Sequence, residues 1–417
     1  MPPLYLCIDL KSFYASAECV ARGLDPFQAN LVVADPSRGK GAICLAISPA
    51  LKALGVPNRC RLFEIPAGID YITALPRMRR YMEISADICA LYQQLVSPED
   101  IHVYSIDECF INISPYLTLY HQSPKAFAKT LMALVQQQTG ICATAGIGTN
   151  LFLCKLALDI TAKHTSDHIG VLDDESFRQT IWHHRPITDI WGIGRGTARR
   201  LAALGVQDLY GVTRLPERCL YEAFGINARY LIDHAHGRES SSIGQIHDYQ
   251  PQSTSLSNSQ ILFSDYTRAD AYVVLREMVD ALVLKLVEQN RLTHGISLFV
   301  GYSKDSLAPA GGSRRFEKPT DSFRVIMAAF DGIYRRTVLD RPIRRIGIGL
   351  QELESAENRQ LSLFDNLAAQ QKERDLQLSR ITIKNKFGKN AVLKGLSYTA
   401  AGTARQRNKL IGGHNGE

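Results

Sequence analysis

In the N-terminal part of the chain, short apolar runs that stop at acidic residues alternate with stretches whose apolar positions recur every three or four residues. Residues 4–8 read as a buried strand ending at Asp9, and residues 13–21 as a helix begun by Ser12, a residue type suited to an N-cap. Residues 101–113 are rich in β-branched and aromatic side chains on both sides of Asp107 and Glu108, which predicts a hairpin with the two acids near its turn. Helices are predicted over 124–138 and 150–162, with a strand over 141–147 between them. This alternation outlines an α+β layer.

From residue 186 to about 237 the pattern is helical with glycine turns, and the polar, serine-rich stretch 239–254 predicts a linker with a boundary near residue 245. A second α+β unit follows: a long helix (268–289), a strand (295–302), a glycine turn at Gly311 and Gly312, a helix (320–337) and a strand (343–350). From Glu352 onward the chain turns polar and then basic, without convincing internal repeats. A length of 417 residues leaves room for two to four domains, and 45% hydrophobic with 21% charged residues excludes wholesale disorder or a fibrous repeat.

The longest uncharged stretch, 130–154, holds Gln136 to Gln138 and three glycines, unlike a membrane span of about 20 apolar residues. The run 4–8 meets Asp9 too early for a signal peptide. Nine cysteines, odd in number, without a CxxC pair and with none after Cys219, predict neither a disulfide framework nor a zinc site, and point to a reducing cytoplasm.

The net charge of +7 is unevenly placed: from Arg380 to the end, eight Lys or Arg stand against one acid, while residues 1–379 balance at 40 and 40. A second basic bias over 291–350 includes Arg314, Arg315, Arg335, Arg336, Arg344 and Arg345. Such stripes suit a polyanion such as nucleic acid, the alternative being a solvated basic face.

Asp9, Asp107 and Glu108 form the sharpest constellation. Each lies at or beside the end of an apolar strand, where an unpaired carboxylate is costly, so a cation is expected to meet them. Successive strand residues face opposite ways, so Asp107 and Glu108 converge only if a turn or bulge intervenes. Three carboxylates near one point fit hard, oxygen-preferring ions such as Mg²⁺; caps or ion-pair partners are the competing reading. Two such ions can activate a hydroxyl and stabilise attacking and leaving oxygens in an in-line phosphoryl displacement. The backbone N–H groups around Lys11 to Tyr14 would cradle a triphosphate at the helix start, with Lys52 and Lys163 as candidate cationic contacts.

Asp9-Leu10-Lys11-Ser12-Phe13-Tyr14-Ala15-Ser16 through Glu18, with Ser105-Ile106-Asp107-Glu108, resembles the two metal-binding motifs of Y-family translesion DNA polymerases, and the branch looks UmuC-like, of the UvrX type found in Gram-positive bacteria. The resemblance runs from residue 4 to nearly the C-terminus. It implies an α+β right-hand polymerase with a ferredoxin-like palm (1–12 and 80–168), small fingers (13–79), a helix-hairpin-helix thumb (169–240), a linker (241–251), a separate α+β little finger (252–352), and a clamp-binding motif with a basic C-terminal tail (353–417).

On that resemblance Asp9, Asp107 and Glu108 would be catalytic and hold two Mg²⁺ ions, with Leu10 contributing its carbonyl. Tyr14 matches the steric gate, a ring packed where a ribose 2′-hydroxyl would sit, and Phe13 and Tyr14 would offer backbone amides to the triphosphate. Ser48-Pro49-Ala50-Leu51-Lys52-Ala53-Leu54-Gly55-Val56 resembles the fingers segment, with Lys52 at a position often held by arginine and Pro49 where many relatives have tyrosine. Lys163 matches the palm lysine that meets the triphosphate.

Gly192, Gly194 and Gly196, within 190–206, fit a helix-hairpin-helix whose backbone N–H groups approach a DNA phosphate; a dinucleotide-binding glycine loop would need a preceding strand that 186–190 does not supply. Phe224-Gly225 through Leu231 reads as a weaker second hairpin. In the little finger, Ser257-Asn258-Ser259, the Gly301-Tyr302-Ser303 turn and Arg314-Arg315-Phe316 are candidate DNA contacts. Gln360-Leu361-Ser362-Leu363-Phe364 places two leucines and a phenylalanine in a polar stretch, and resembles the pentapeptide that docks on the β sliding clamp. Its competing reading is a short edge strand.

The partners so implied are primer–template DNA, a deoxynucleoside triphosphate and the β sliding clamp, with RecA or an accessory subunit as further candidates and no membrane. The activity so implied is template-directed, low-fidelity DNA synthesis past damaged bases; with only some 65 residues for fingers, no span is left for a proofreading exonuclease. Two other classes stand beside it. A catalytically idle DNA-binding scaffold has no use for converging carboxylates, and a nucleotidyl cyclase has none for the hairpin and the clamp peptide.

Overall fold

The computed structural model describes residues 3–250, 253–303, 307–358 and 366–416. Its contacts separate into two units, divided between Tyr249 and Gln250.

The first unit begins with β1 (Tyr5–Leu10), buried almost throughout, followed by α1 (Phe13–Val20). Ser12 adopts a left-handed conformation and makes no side-chain capping bond, so the cap expected of it is absent. Next come β2 (Leu31–Val33), β3 (Ala46–Ile47), α2 (Pro49–Ala53) and β4 (Ile72–Ala74). They form a small layer in which the strands run β3-β2-β4 over Val32, Ile47, Leu51 and Val56. Ser48 caps α2 through its hydroxyl, which accepts from the Leu51 N–H at 3.3 Å.

The main sheet is completed by α3 (Met78–Tyr92), β5 (Ile101–Val103), β6 (Glu108–Asn112), α4 (Ser114–Leu119), α5 (Pro124–Thr139), β7 (Ala143–Gly148), α6 (Leu151–Asp159) and β8 (Ile169–Leu172). Five strands run in the order β5-β6-β1-β7-β8, with β1 antiparallel to β6 and β7, and β8 parallel to β7. The hairpin expected over 101–113 is β5–β6. Strand β8 lies within the span assigned to the thumb, so the sheet extends past residue 168.

Helix α6 lies directly on this sheet because glycines let it. A Cβ on Gly146 or Gly148 of β7 would come within 2.2 Å of α6 backbone atoms, and one on Gly170 of β8 within 2.1 Å of the Ala157 carbonyl oxygen. That close approach brings Lys155 and Asp159, one turn apart on α6, down to the ends of β1 and β6.

Helices α7 (Asp174–Thr180), α8 (Arg195–Ala203), α9 (Leu209–Arg214), α10 (Glu217–Phe224) and α11 (Ala228–Ala235) pack their apolar faces on α6, with Leu201, Leu209, Leu220 and Leu231 clustering with Phe152 and Leu156. The serine-rich stretch read as linker holds α12 (Ile243–Asp248), capped by Ser242, with Ile243 buried against Tyr5 and Phe110. Residues 243–248 are therefore part of the first unit.

The second unit contains β9 (Ser255–Tyr266), α13 (Arg268–Glu288), β10 (Arg291–Tyr302), β11 (Ala310–Thr320), α14 (Phe323–Thr337) and β12 (Ile343–Ser355). The antiparallel sheet runs β11-β10-β12-β9, and α13 and α14 cover one face over Ile296, Leu298, Val300, Ile346 and Ile348. The expected glycine turn is instead strand: Gly311 pairs with Phe299 at φ +134°, and a Cβ there would lie 1.9 Å from the Leu298 carbonyl oxygen. The opposite face carries Ser257 and Ser259 of β9, Gly347 and Gly349 of β12, Ser297 and Phe299 of β10, and Ser313 of β11, neighbours in register.

The basic C-terminal segment is folded. It contains α15 (Leu367–Phe387), α16 (Ala404–Arg407), β13 (Leu410–Ile411) and β14 (His414–Asn415), and α15 and α16 pack on α13. Asp280 of α13 accepts from Arg380 at 3.0 and 2.6 Å and meets Lys394 at 2.8 Å. Buried Glu277 accepts from the N–H groups of Thr403 and Ala404 at 2.8 and 2.9 Å, and Arg374 pairs with Asp321. A count of charges along the sequence marks this segment as basic but does not show the acid on α13 that Arg380 and Lys394 meet. No helix among the described residues is long and apolar enough to cross a membrane.

Candidate active site

Asp9 and Glu108 stand directly opposite each other in the β1–β6 register, and the Leu10 N–H donates to the Asp107 carbonyl at 2.9 Å. Asp107 is turned out of the strand alternation by a tight reversal in which the N–H groups of Tyr104 and Ser105 both donate to the Glu108 carbonyl at 3.0 Å. The Ser105 hydroxyl then donates to the Asp107 carboxylate at 2.7 Å. Two consecutive acids thereby reach the end of β1, as the intervening turn required.

Burial first, then the charges of Asp107 and Glu108, push the Asp9 carboxyl up to about 7. The site carries more negative charge than its surroundings offset. Lys155 supplies the cation the protein itself provides, its Nζ lying 2.6 Å from Glu108 and 2.8 Å from Asp159. Burial would lower that ammonium, but the two carboxylates more than offset it and the Lys155 pKa is raised. The Cys7 thiol also donates to Glu108, at 3.3 Å.

No three His, Cys, Asp or Glu side chains among the described residues are gathered into an ion-holding cluster. The chemistry of the residues nonetheless fits a divalent cation: Asp9, Asp107 and Glu108 are partly buried, the charges of the last two reach Asp9, and all three offer hard oxygens. Leu10, the last residue of β1, follows Asp9 directly.

The first amide taken up by α1 is that of Ser16, on the Ser12 carbonyl. The N–H groups of Phe13 and Tyr14 thus precede the helical ladder, and no side chain caps them. The Lys11 N–H is already spent on the Cys142 carbonyl at 2.9 Å, which removes it from the expected anion cradle. Tyr14 is raised by burial and then by the Asp107 charge, with Arg59 opposing, so the ring lies within electrostatic reach of both. It stacks on Tyr81, centroids 4.6 Å apart. Lys52, on α2, is lowered by burial and opposed by the Asp9 charge, so the two lie within electrostatic reach. Lys163 lies exposed on the turn after α6, and Lys155 is the lysine in contact with the carboxylates.

Gly192 takes φ +85° and Gly194 begins α8 without a side-chain cap; added Cβ atoms at Gly192, Gly194 and Gly196 would meet nothing within 4 Å, leaving this hairpin open to approach. Trp191 Nε1–H donates to the Tyr104 hydroxyl at 3.1 Å, tying the hairpin to the turn that carries Asp107. In the second unit Arg315 and Arg314 alternate on β11. Arg315 is opposite Gly295, and its guanidinium lies 2.6 Å from Glu352. Arg314 is opposite buried Ile296, so the two side chains leave opposite faces of the strand. Gln360, Leu361, Leu363 and Phe364 lie outside the described residues.

Sequence reasoning missed Lys155, Asp159 and Arg59, and with them a buried cluster of Glu18, Arg77 and Tyr81. A lysine in the otherwise apolar run Leu151 to Leu158 was the available signal, since a charge there needs a partner.

Two family models match the chain, that of the impB/mucB/samB family over residues 8–159 and that of its C-terminal domain over 253–363. The putative UV-damage repair protein UvrX of Bacillus subtilis is 35% identical over 98% of this chain and 97% of its own. This chain belongs to the UmuC-like, impB/mucB/samB branch of the Y-family DNA polymerases. DNA polymerase IV 2 of the same organism is 31% identical over 98% of this chain and 97% of that relative. A Y-family DNA polymerase chimera of known structure, Dbh-Dpo4(243-245)-Dbh, covers 84% of this chain and 99% of its own with a TM-score of 0.62. At 19% identity that likeness shows the fold, and the α+β right-hand architecture expected of the family is the one observed.

Proposed function

We propose that this Y-family DNA polymerase extends primers on damaged templates, by adding deoxynucleotides at a site built from Asp9, Asp107 and Glu108. The observation that carries the reading is the register that sets Asp9 opposite Glu108, with Asp107 turned in beside them. In this reading the three carboxylates and the Leu10 carbonyl hold two Mg²⁺ ions, which when bound would activate the primer hydroxyl and neutralise the reacting phosphate.

The chain's own groups do the rest. The amides of Phe13 and Tyr14 receive the triphosphate, Lys52 and Lys163 add positive charge, and Tyr14 closes the space a 2′-hydroxyl would need. Lys155 keeps Glu108 from lying uncompensated. The domain assignment follows the same reading: palm (1–12 and 80–168, extended by β8), fingers (13–79), thumb from α7 to α11, and little finger from residue 252. The glycine hairpin at 192–196 and the small, hydroxyl-rich face of the second sheet are offered as surfaces for the DNA backbone, with Arg315 at the latter's edge. The cytoplasm is the proposed compartment, with RecA or an accessory subunit as further proposed partners.

Low fidelity is proposed from the small fingers layer, whose strands hold only two or three residues each. The direct test is primer extension across an abasic template site. Extension past the lesion is expected, and a complete stop opposite it on templates whose undamaged form is copied would overturn the translesion reading. The idle-scaffold alternative predicts no extension on either template.

The clamp peptide gives a separate expectation. Replacing both Leu363 and Phe364 with alanine should remove at least about tenfold of clamp-stimulated synthesis, the size expected for losing two apolar anchors. Basal synthesis without clamp should stay within about twofold, and equal loss of both activities would assign these residues to the fold instead.

A further inference from the structure

The buried cluster behind Tyr14 has no part in the chemistry described above. Tyr81 of α3 is fully buried, and its ring lies against Tyr14 at 4.6 Å and 24°. Its hydroxyl donates to Glu18 at 2.7 Å. Glu18 follows Tyr14 by one turn of α1 and has no exposed side-chain surface. Arg77, at the start of α3, grips that carboxylate through Nε and Nη2, both at 2.9 Å, and Arg22 approaches it from the end of α1. A buried carboxylate is tolerated only with such compensation, and here every partner is in place.

The geometry is more particular than joining two helices requires. Tyr81 touches α1 twice, with its ring on Tyr14 and its hydroxyl on Glu18, which fixes both its position and the plane of its ring. Phe13 closes the group, its ring 5.7 Å from Tyr14 and 6.3 Å from Tyr81. The face of Tyr14 that meets Tyr81 therefore cannot retreat. A side chain that rejects a single hydroxyl must be held to about half an ångström, and that tolerance is set by what stands behind it.

We propose that Tyr81, locked by Glu18 and Arg77, positions the Tyr14 ring and so sets the discrimination between deoxyribose and ribose. The inference rests on the reading of Tyr14 as the sugar gate. Tyr81 acts through Tyr14 and is a positioning residue.

The test compares kcat/KM for a deoxynucleotide and the matching ribonucleotide in the full chain and in Tyr14→Ala, Tyr81→Leu and Tyr81→Phe. Tyr81→Leu removes the ring stack and should shift the ratio toward the ribonucleotide by on the order of tenfold, the scale of one altered contact in a selective pocket. Tyr81→Phe keeps the ring and loses only the bond to Glu18, so its shift should be in the same direction and smaller. In a Tyr14→Ala background, Tyr81→Leu should add nothing further to the ratio.

A Tyr81→Leu protein that inserts both nucleotides more slowly by the same factor, leaving the ratio unchanged, would reduce Tyr81 to a fold residue and overturn the proposal. If that variant does not fold, an unchanged ratio in Tyr81→Phe overturns it equally. An unchanged ratio in Tyr14→Ala would sink the gate assignment itself, whereas a shift in Tyr14→Ala without one in either Tyr81 variant sinks only the present inference.

Discussion

An alanine at position 107 is expected to leave the protein folded and bound to primer–template DNA, while primer extension in Mg²⁺ falls by at least about a thousandfold, roughly 4 kcal/mol of lost transition-state stabilisation. The substitution is well placed to separate chemistry from fold. The structural duty of residue 107 is carried by its backbone carbonyl, which accepts from the Leu10 N–H and is retained in alanine. The side chain makes a single hydrogen bond, from the Ser105 hydroxyl, whose loss costs about 1 kcal/mol. Burial and two neighbouring carboxylates already strain Asp9, so removing one neighbour relieves repulsion in the ion-free protein. A large loss of extension in a protein of unchanged or greater stability would therefore mark Asp107 as a group needed for the reaction. Extension that persists in the variant would remove Asp107 from the metal assignment, and loss of DNA binding would give it a different role.

The parts of the fold that were legible in the sequence are those where one local pattern decides the outcome. Strand β1, the β5–β6 hairpin and α5 each combine a clean apolar run or period with a turn or capping residue at the end, and each forms within two residues of its expected span. Misreadings arose where a residue type had two uses. Glycines 311 and 312 read as a turn but lie in β11, where Gly311 serves close strand packing. Serines 240 to 242 fall in the stretch read as linker, yet Ser242 caps α12 and Ile243 is buried. At the site, the positions of Asp9, Asp107 and Glu108 followed from motif and strand ends. The capture of Glu108 by Lys155 did not, because it depends on how closely Gly146 and Gly148 let α6 approach the sheet. The clustering of Glu18, Arg77 and Tyr81 joins residues up to 63 positions apart, beyond the reach of local periodicity.

Replacing Asp280 with alanine is expected to destabilise the second unit by about 3 kcal/mol or more, roughly 6–12 °C in its unfolding midpoint. Arg380 and Asp280 are only 14% and 15% exposed, and Lys394 completes the group, so the variant would leave two cations facing a low-dielectric surface without a counter-charge. Burial alone would raise the Asp280 carboxyl, but hydrogen bonds and charges from Arg380 and Lys394 outweigh it and hold the pKa below the ordinary carboxylate range. A depressed carboxylate adds stability that is fully present above its unfolded-state pKa and is lost as pH falls through the folded value. The difference between the natural protein and Asp280→Ala should therefore be constant near neutrality and shrink in acid below about pH 4. A free basic tail predicts the opposite pattern: no change in unfolding, and a weaker salt dependence of DNA binding when Arg380 is replaced by alanine. Measuring thermal unfolding and DNA affinity on Arg380→Ala and Asp280→Ala together decides between them. Destabilisation by both single variants, the larger for Asp280→Ala because Arg380→Ala leaves Lys394 on Asp280, with less than additive loss in the double variant, is the result expected of a buried group that fastens α15 to α13.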